Sequence, residues 1–570
     1  MCGILGGNIK DWDYNKGIMA IKHRGPDAQK VVETPLCTFS FARLSIMDLS
    51  MNAMQPMDSM DGAVTIVFNG EIYGYAKLRN ELKVKYPFKT TSDTEVVLYA
   101  YMEYGDQFID YIDGMFAIVI YDRRVEMLKI YRDRYGIKPL YYYVHSGEFA
   151  FASEIKAIIA ASGNKKWDID KTAIWDFLCY QYIPEPKSIY SDIYKLNPAC
   201  CLFYDLRERQ IVKRERYWRL HVCTKAYGNR KKKDIIADIR YLISESVSEQ
   251  MIADVEVGTF LSGGIDSSII TYESIRHNKN TTAYSIGFKE RKYDESYYAQ
   301  LLAERYHISH NLRTLSINDV QPLNGRLRDW YDEPFADTSA FPTYIVSKIA
   351  REGVKVVLTG DGGDEIFGGY DRYYLYSKEL KANEGTQVKV INDVFNFTQL
   401  KKLVGNNQLI IYLKYFGLYG KDLYREWRKK YGIDWTYDPT WYLKKYYVQD
   451  LPLMTRLRYL DFKTYLPSDI LTKVDRTSMS VSLEARVPFL NRKLVEYVFG
   501  LAENECCSPE CLKQILKEAY HNIIPEEILY RKKKGFCIPD SYVRASSVGM
   551  TKHEEILKRE WTELINYECS

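Results

Sequence analysis

Cys2 stands directly behind Met1 and opens the run Gly3-Ile4-Leu5-Gly6-Gly7. A residue this small at position 2 permits removal of the initiator methionine, which would put a thiol and a free α-amine on one residue. Such an amine has a reference pKa of about 8 and can act as base toward the thiol. That would make a one-residue nucleophile and base. Taken alone, Cys2 reads first as a buried cysteine in an opening strand, so the rest of the chain has to decide.

At 570 residues the chain has room for three domains or two large ones. A net charge of +4 gives no reason to expect nucleic acid. No apolar run approaches the roughly 20 residues that span a membrane, and no leader is expected ahead of a working Cys2. Eleven cysteines occur without a C-x-x-C pair. The adjacent pairs Cys200-Cys201 and Cys506-Cys507 suit a disulfide framework poorly, so reduced thiols and a cytoplasmic location are expected. Eight histidines show no zinc-like spacing, and His307 and His310 read as surface residues. The 50 tyrosines carry no functional reading.

The first 200 or so residues read as β-rich. Val64 to Phe68 is a strand ending at Asn69-Gly70, and Ser92 to Tyr104 is a helix with Asp93 in its first turn. Phe116–Tyr121 pairs with Met127–Tyr131, and Leu140–Tyr143 with Glu148–Ala152. From about 204 to 233 the chain is polar and ends in Arg230-Lys231-Lys232-Lys233, a solvated linker. Beyond it, strands alternate with helices: Val255–Leu261, then Asp266–Arg276; Ala283–Phe288, then Glu295–Tyr306; Ala340–Glu352, then Val354–Thr359. That order implies a parallel sheet with helices on both faces. Residues 375–450 read as helical, rich in Lys and Tyr, and without an assigned place.

Leu261-Ser262-Gly263-Gly264-Ile265-Asp266-Ser267-Ser268 follows a buried strand and opens a helix. Glycines let the backbone approach a phosphate, and the N–H groups of a helix start favour negative charge there. Asp266 would repel phosphate unless Mg²⁺ lies between them. No Gly-Lys-Ser/Thr follows, so this is not a Walker A loop. It resembles the loop of the ATP pyrophosphatases, which cleave ATP between the α and β phosphates. A second loop, Thr359-Gly360-Asp361-Gly362-Gly363-Asp364, ends a later strand. Two such strand ends can converge at the carboxyl edge of one sheet, and Asp266 and Asp364 could then share a metal ion. The bland alternative is a pair of glycine-rich turns.

The front half also carries His23-Arg24-Gly25-Pro26-Asp27, Arg43-Leu44-Ser45-Ile46-Met47-Asp48, Asn69-Gly70-Glu71-Ile72-Tyr73 and Ser92-Asp93-Thr94-Glu95. The back half carries Lys473-Val474-Asp475-Arg476, Ser482-Leu483-Glu484-Ala485-Arg486-Val487-Pro488-Phe489-Leu490 and Arg531-Lys532-Lys533-Lys534-Gly535-Phe536. With these motifs the chain resembles the glutamine-dependent asparagine synthases over nearly its whole length. The resemblance implies an α/β protein with an αββα four-layer N-terminal-nucleophile glutaminase at 1–205, a linker at 206–233, and a doubly wound parallel-sheet ATP-pyrophosphatase synthetase domain with extra helices at 234–560. It implies that Cys2 attacks the glutamine amide, that Asn69 and the Gly70 N–H form the oxyanion hole, and that Arg43, Glu71 and Asp93 hold the glutamine. In the second domain Leu261, Ser262, Gly263, Gly264, Asp266, Ser267, Ile286, Thr359 and Gly360 would contact ATP. Asp266 and Asp364 would hold Mg²⁺, Lys533 would neutralise phosphate, and Asp361 would serve catalysis.

Three departures bear on the acceptor or the site. Asp361 stands where the family usually has Glu in a Gly-Glu-Gly loop, one methylene shorter. The region that in some members reads Thr-Thr-x-Arg here reads Asp332-Glu333-Pro334-Phe335-Ala336-Asp337-Thr338-Ser339, without arginine. Gly74 replaces an Asn. Related amidotransferases encoded with surface-polysaccharide genes carry loops like these. Aspartate giving asparagine is the leading acceptor, a carboxylated sugar the runner-up, and a non-catalytic glutamine- or nucleotide-binding relative the third reading. A homodimer is one assembly open to it. Release of glutamate from glutamine would separate enzyme from binder.

Overall fold

The computed structural model of the chain describes residues 1–225, 228, 230–323, 325–382, 407–414, 432, 437–532, 535, 538, 539, 542 and 561. The amino-terminal half is built on two antiparallel sheets. One contains β1 (Gly3–Gly7), β2 (Ala28–Glu33), β3 (Thr38–Arg43), β8 (Tyr141–His145), β9 (Glu148–Ala152) and β10 (Ile193–Lys195), in the order β10-β8-β9-β1-β3-β2. The other contains β4 (Met57–Asp58), β5 (Val64–Tyr73), β6 (Asp113–Asp122), β7 (Met127–Arg132), β11 (Cys200–Asp205) and β12 (Gln210–Arg216), in the order β12-β11-β7-β6-β5-β4.

Strand alternation sets the layers. Cys2, Ile4, Phe39, Phe41 and Phe151 of the first sheet meet Val67, Val119 and Ile130 of the second. On the outer face of the second sheet, Ile66, Phe68 and Ile118 pack under Leu78, Val97 and Tyr101 of helices Ala76–Leu82 and Asp93–Tyr104. Leu5 and Ala42 turn outward under helices Tyr14–Ala20 and Ile155–Ala161. The result is the expected αββα sandwich.

Two boundaries differ from the sequence reading. The strand expected to end at Asn69-Gly70 continues to Tyr73, paired with β6 throughout. A Cβ on Gly70 would fall 2.1 Å from the Met115 carbonyl oxygen, so glycine here lets the ladder close rather than break. The stretch assigned to the linker from 206 contains β12, which pairs with β11 and completes the second sheet. Its residues are half-buried to exposed, as on an edge strand, which hid the strand inside a polar segment.

The carboxyl-terminal half holds a five-stranded sheet of β13 (Val257–Phe260), β14 (Thr282–Phe288), β15 (Ser309–Leu315), β16 (Val356–Leu358) and β17 (Glu484–Arg486). The order is β15-β14-β13-β16-β17 and every pair is parallel. Strand order reverses at β13 and β16, so the loops after these two strands open side by side at the topological switch point, where such sheets bind ligands. Of residues 375–450, helices Asp371–Ala382, Asn407–Lys414 and Trp441–Lys444 are helical as expected; most of the remainder lies outside the described residues. Some tyrosines here have a structural use. Tyr373 donates to the buried Asp461 at 2.5 Å, and Tyr437 donates to the buried Asp176 at 2.8 Å.

Candidate active sites

Cys2 enters the space between the two sheets on the inward side of β1. Val67 and Asn69 share the inward side of β5, which brings Asn69 to Cys2. The Cys2 backbone N–H donates to Asn69 Oδ1 at 2.9 Å. Asn69 is fully buried, and its Nδ2 has no hydrogen-bond partner. A buried amide left unpaired costs on the order of 1–3 kcal/mol, and an oxygen developing negative charge beside the thiol would relieve it. Burial raises the Cys2 thiol above its ordinary value, partly offset by the α-ammonium of Met1. The thiol therefore stays protonated until a base takes the proton.

A cavity of about 40 Å³ beside Cys2 is lined by Met1, Arg43, Gly70, Glu71 and Asp93, among others. Met1 itself is buried, at 2% exposure. Arg43 donates to the Asp48 carbonyl and to the Ser50 carbonyl at 2.7 Å, so it also fixes the loop over the cavity. Ser92 caps helix Asp93–Tyr104 by accepting from the Thr94 N–H. Asp93, first in that helix, accepts from the Ile72 N–H at 3.0 Å. Burial pushes Asp93 up to about 6. Burial, and then Asp93, push Glu71 well above the carboxylate range, against the pull of Arg486 at 3.2 Å. Two desolvated acids side by side favour a bound cation such as an α-ammonium.

In the second domain, the two loops meet. The first bends at Gly263, where φ is +75° and a Cβ would lie 2.8 Å from Tyr298 Cβ. Gly264 begins helix Ile265–His277, and Ser262 and Ser267 hydroxyls are 3.0 Å apart across the turn. A Cβ on Gly360 would lie 2.8 Å from the Ser267 nitrogen, and one on Gly363 would lie 2.6 Å from Asp266 Oδ1. Glycine is therefore what lets the second loop rest on the start of the first helix. Asp266 and Asp364 converge on one point, both paired to Lys513, the latter at 2.5 Å.

These groups suit a magnesium ion, which takes oxygen ligands and usually one or two carboxylates plus substrate phosphates. Among the described residues no group of three His, Cys, Asp or Glu side chains is placed to hold a metal. Phosphate oxygens would have to complete its shell.

A cavity of about 1090 Å³ opens over both loops. Leu261, Ser262, Gly264, Asp266, Ser267, Ile286, Thr359, Gly360, Asp361 and Asp364 line it; Gly263 shapes the turn without lining it. Lys533 lies outside the described residues, while its neighbours Arg531, Lys532 and Gly535 reach the cavity wall. Burial raises Asp361, opposed by Lys473. Lys473 pairs with Asp337 at 3.0 Å. Against the burial that would raise it, Lys473 and Ser339 hold Asp337 well below the carboxylate range. His310, read as a surface residue, is half-buried on β14's neighbour β15 and bonds Ser285 at 2.7 Å.

A buried ionic junction joins the halves. Arg24 donates to the Cys2 carbonyl at 3.2 Å, to Glu154 at 2.9 Å and in a fork to Asp475 at 2.8 and 3.1 Å. Arg476 pairs with Glu154 at 2.8 Å and Asp332 at 2.6 Å, and Lys195 pairs with Glu333. The stretch Asp332–Ser339 is thus divided. Its first two acids face the amino-terminal half, whereas Asp337 and Ser339 line the cavity. The Met1 ammonium pairs with Glu484 of β17 at 2.5 Å, both fully buried. Burial would raise Glu484, but that ammonium and Arg486 bring it to about 2. Arg24, Glu484 and Arg486 stood inside quoted motifs without a role. Asp337 lay in the stretch singled out for the acceptor, whereas Lys513 carried no local signal, since only the fold brings it to the loops.

Residues 238–559 match the family described as asparagine synthase, and residues 1–218 match the glutamine amidotransferase domain. The Bacillus subtilis (strain 168) protein named asparagine synthetase (glutamine-hydrolyzing) 1 is 32% identical over 533 residues, covering 91% of this chain and 82% of its own. Asparagine synthetase (glutamine-hydrolyzing) 3 of the same organism is 30% identical over 575 residues, covering 94% and 87%. The Penicillium rubens protein named amidase chyE is 28% identical over 582 residues, covering 92% and 84%.

Proposed function

Because the chain belongs to the asparagine synthase family of glutamine-dependent amidotransferases, we propose that it amidates a carboxylate with glutamine nitrogen at the expense of ATP, and that aspartate, giving asparagine, is its leading acceptor. Cys2 attacks the glutamine amide, with Met1 removed so that its own amine serves as base; ammonia leaves, and water hydrolyses the resulting thioester to glutamate and free Cys2. Asn69 Nδ2 and the Gly70 N–H receive the oxyanion, and Glu71 and Asp93 hold the substrate ammonium. Ammonia then crosses inside the protein to the larger cavity. There Asp266 and Asp364 would hold Mg²⁺, which supplies charge neutralisation at the phosphates. The glycine loops bind and orient ATP, the acceptor carboxylate displaces pyrophosphate to form an acyl-adenylate, and ammonia displaces AMP. Asp361 is the group proposed to handle the proton of that ammonia, with Lys533 acting on phosphate.

The observation that carries this reading is the unpartnered Asn69 Nδ2 held beside Cys2, where the oxyanion would form. A carboxylated sugar is supported as second acceptor by one feature. The cavity, about 1090 Å³, carries Tyr370, Tyr374 and Tyr465 on its wall, and common small-molecule sites measure roughly 300–1,000 Å³. The deciding experiment supplies enzyme, glutamine and MgATP with aspartate or with uronic acids and their nucleotide-linked forms. The acceptor that drives AMP and pyrophosphate release is the substrate; no release with aspartate would remove asparagine synthesis.

A further inference from the structure

Lys513 is placed in a way that the proposed chemistry does not use. It precedes helix Gln514–Ala519 in the left-handed region, at φ 54° and ψ 32°, a conformation that side-chain-bearing residues adopt at a cost. Its backbone N–H donates to the Gly368 carbonyl at 3.3 Å. Its side chain is 6% exposed and runs so close to the chain that a Cβ on Gly369 would fall 2.1 Å from Lys513 Cε. The ammonium ends between Asp266 and Asp364, paired with both. Backbone strain, a glycine groove and two ion pairs all serve one side-chain position.

We infer that Lys513 is a resident cation that competes with the divalent metal for the Asp266–Asp364 pair, and that it yields the pair only when a nucleotide supplies phosphate for it. An ammonium bonds a carboxylate oxygen at roughly 2.7–2.9 Å, whereas magnesium demands oxygens at about 2.0–2.1 Å in octahedral array. Both cannot use the same carboxylate edges. Without Lys513 the two acids would lose a cation that both are paired with, and their attraction for a divalent ion would rise. With Lys513 in place, a free metal ion has to displace a buried ion pair. A metal that arrives with nucleotide brings phosphate oxygens to which the lysine can turn. The consequence is ordered loading, in which metal binds well with ATP and poorly alone. The inference rests on the reading of Asp266 and Asp364 as metal ligands.

The test uses the full chain and Mn²⁺ as probe, with free Mn²⁺ counted by electron paramagnetic resonance. Nucleotide-free wild type is expected to bind weakly. K513M and K513Q are expected to bind at least tenfold more tightly, and Mn²⁺ is expected to raise their melting temperatures more than that of wild type. K513R, which keeps the cation, is expected to stay weak. A single melting transition like that of wild type, with glutaminase activity retained, reports that each variant is folded. Equal Mn²⁺ affinity in wild type and K513M, with both binding tightly once a non-hydrolysable ATP analogue is present, overturns the competition but leaves the metal ligands standing. Absence of any Mn²⁺ binding in K513M, with or without the analogue, overturns the metal reading itself. Should both neutral variants fail to fold, tight nucleotide-free Mn²⁺ binding by the wild-type chain still overturns the proposal.

Discussion

Replacing Asn69 tests the first site most directly, because one side chain has two separable tasks. Its Oδ1 accepts the Cys2 N–H at 2.9 Å, and its Nδ2 is the unpaired buried donor. Loss of one oxyanion donor typically lowers kcat by about 10²–10³, or about 2.7–4 kcal/mol. Loss of the bond to Cys2 adds a net cost of about 1 kcal/mol in stability. N69A removes both; N69D keeps the acceptor and replaces the donor with a carboxylate. Both variants should therefore lose 10²–10³ in the kcat for glutamate release with little change in KM, and N69D should lose more stability than N69A, because it places a carboxylate at a fully buried position. Ammonia-dependent product formation should survive in both, since the synthetase loops lie in the other half. Glutamate is measured directly, and synthesis from ammonium salts is followed through AMP. An N69A enzyme within about threefold of the wild-type kcat would refute the oxyanion role. Equal collapse of ammonia-dependent synthesis would refute the separation of the two sites.

Four further outcomes are expected. Intact-mass analysis of active enzyme should show Met1 missing, because retained Met1 ties up the Cys2 amine in a peptide bond and forms part of the wall of the cavity beside Cys2; a fully active preparation that keeps it contradicts the one-residue mechanism. D266N and D364N should each stop ATP–pyrophosphate exchange while glutamate release continues, and normal exchange in both would make the loops structural only. Asp93, raised to about 6 in the folded chain, disfavours its charged form, so it costs stability as pH rises from about 4 through about 6. Glutamine's ammonium needs that charge, so KM for glutamine should climb as pH falls below about 6; a profile unchanged in D93N rules this out. D361N should lose amide formation yet retain pyrophosphate exchange, and D361E should be slower than wild type, as checked by product yield per AMP.

Much of this was legible before any coordinates. The glycine loops announce themselves because a phosphate site needs missing side chains, and the parallel sheet announces itself through alternation of strands and helices. Cys2, Asn69 and Asp93 lie in local motifs whose geometry the αββα sandwich then supplies. What stayed hidden is non-local. Arg24 and Asp475 are far apart in sequence and meet only because the short helix Lys22–Arg24 and helix Leu471–Met479 come together across the junction. The strand β12 was hidden because an edge strand needs few apolar residues. Lys513 was hidden because a lysine ahead of a helix normally reads as a solvated residue, and only burial between two acids gives it another meaning.

The junction bears on how the two chemistries are kept together. Burying Arg24, Glu154, Asp475 and Arg476 carries a desolvation penalty that their pairing at best offsets, so such a network is weak evidence for stability. Its value lies in geometry, since a forked arginine–carboxylate pair is directional. Arg24 fixes the Cys2 carbonyl with one nitrogen and Asp475 with two. Asp475 lies two residues from Lys473, which pairs with Asp337 in the large cavity. Lys473 and Asp475 thus join the wall of that cavity to the contact that holds the Cys2 carbonyl, through one helix. Side chains of one helix thus link the surroundings of Cys2 to the wall of the large cavity.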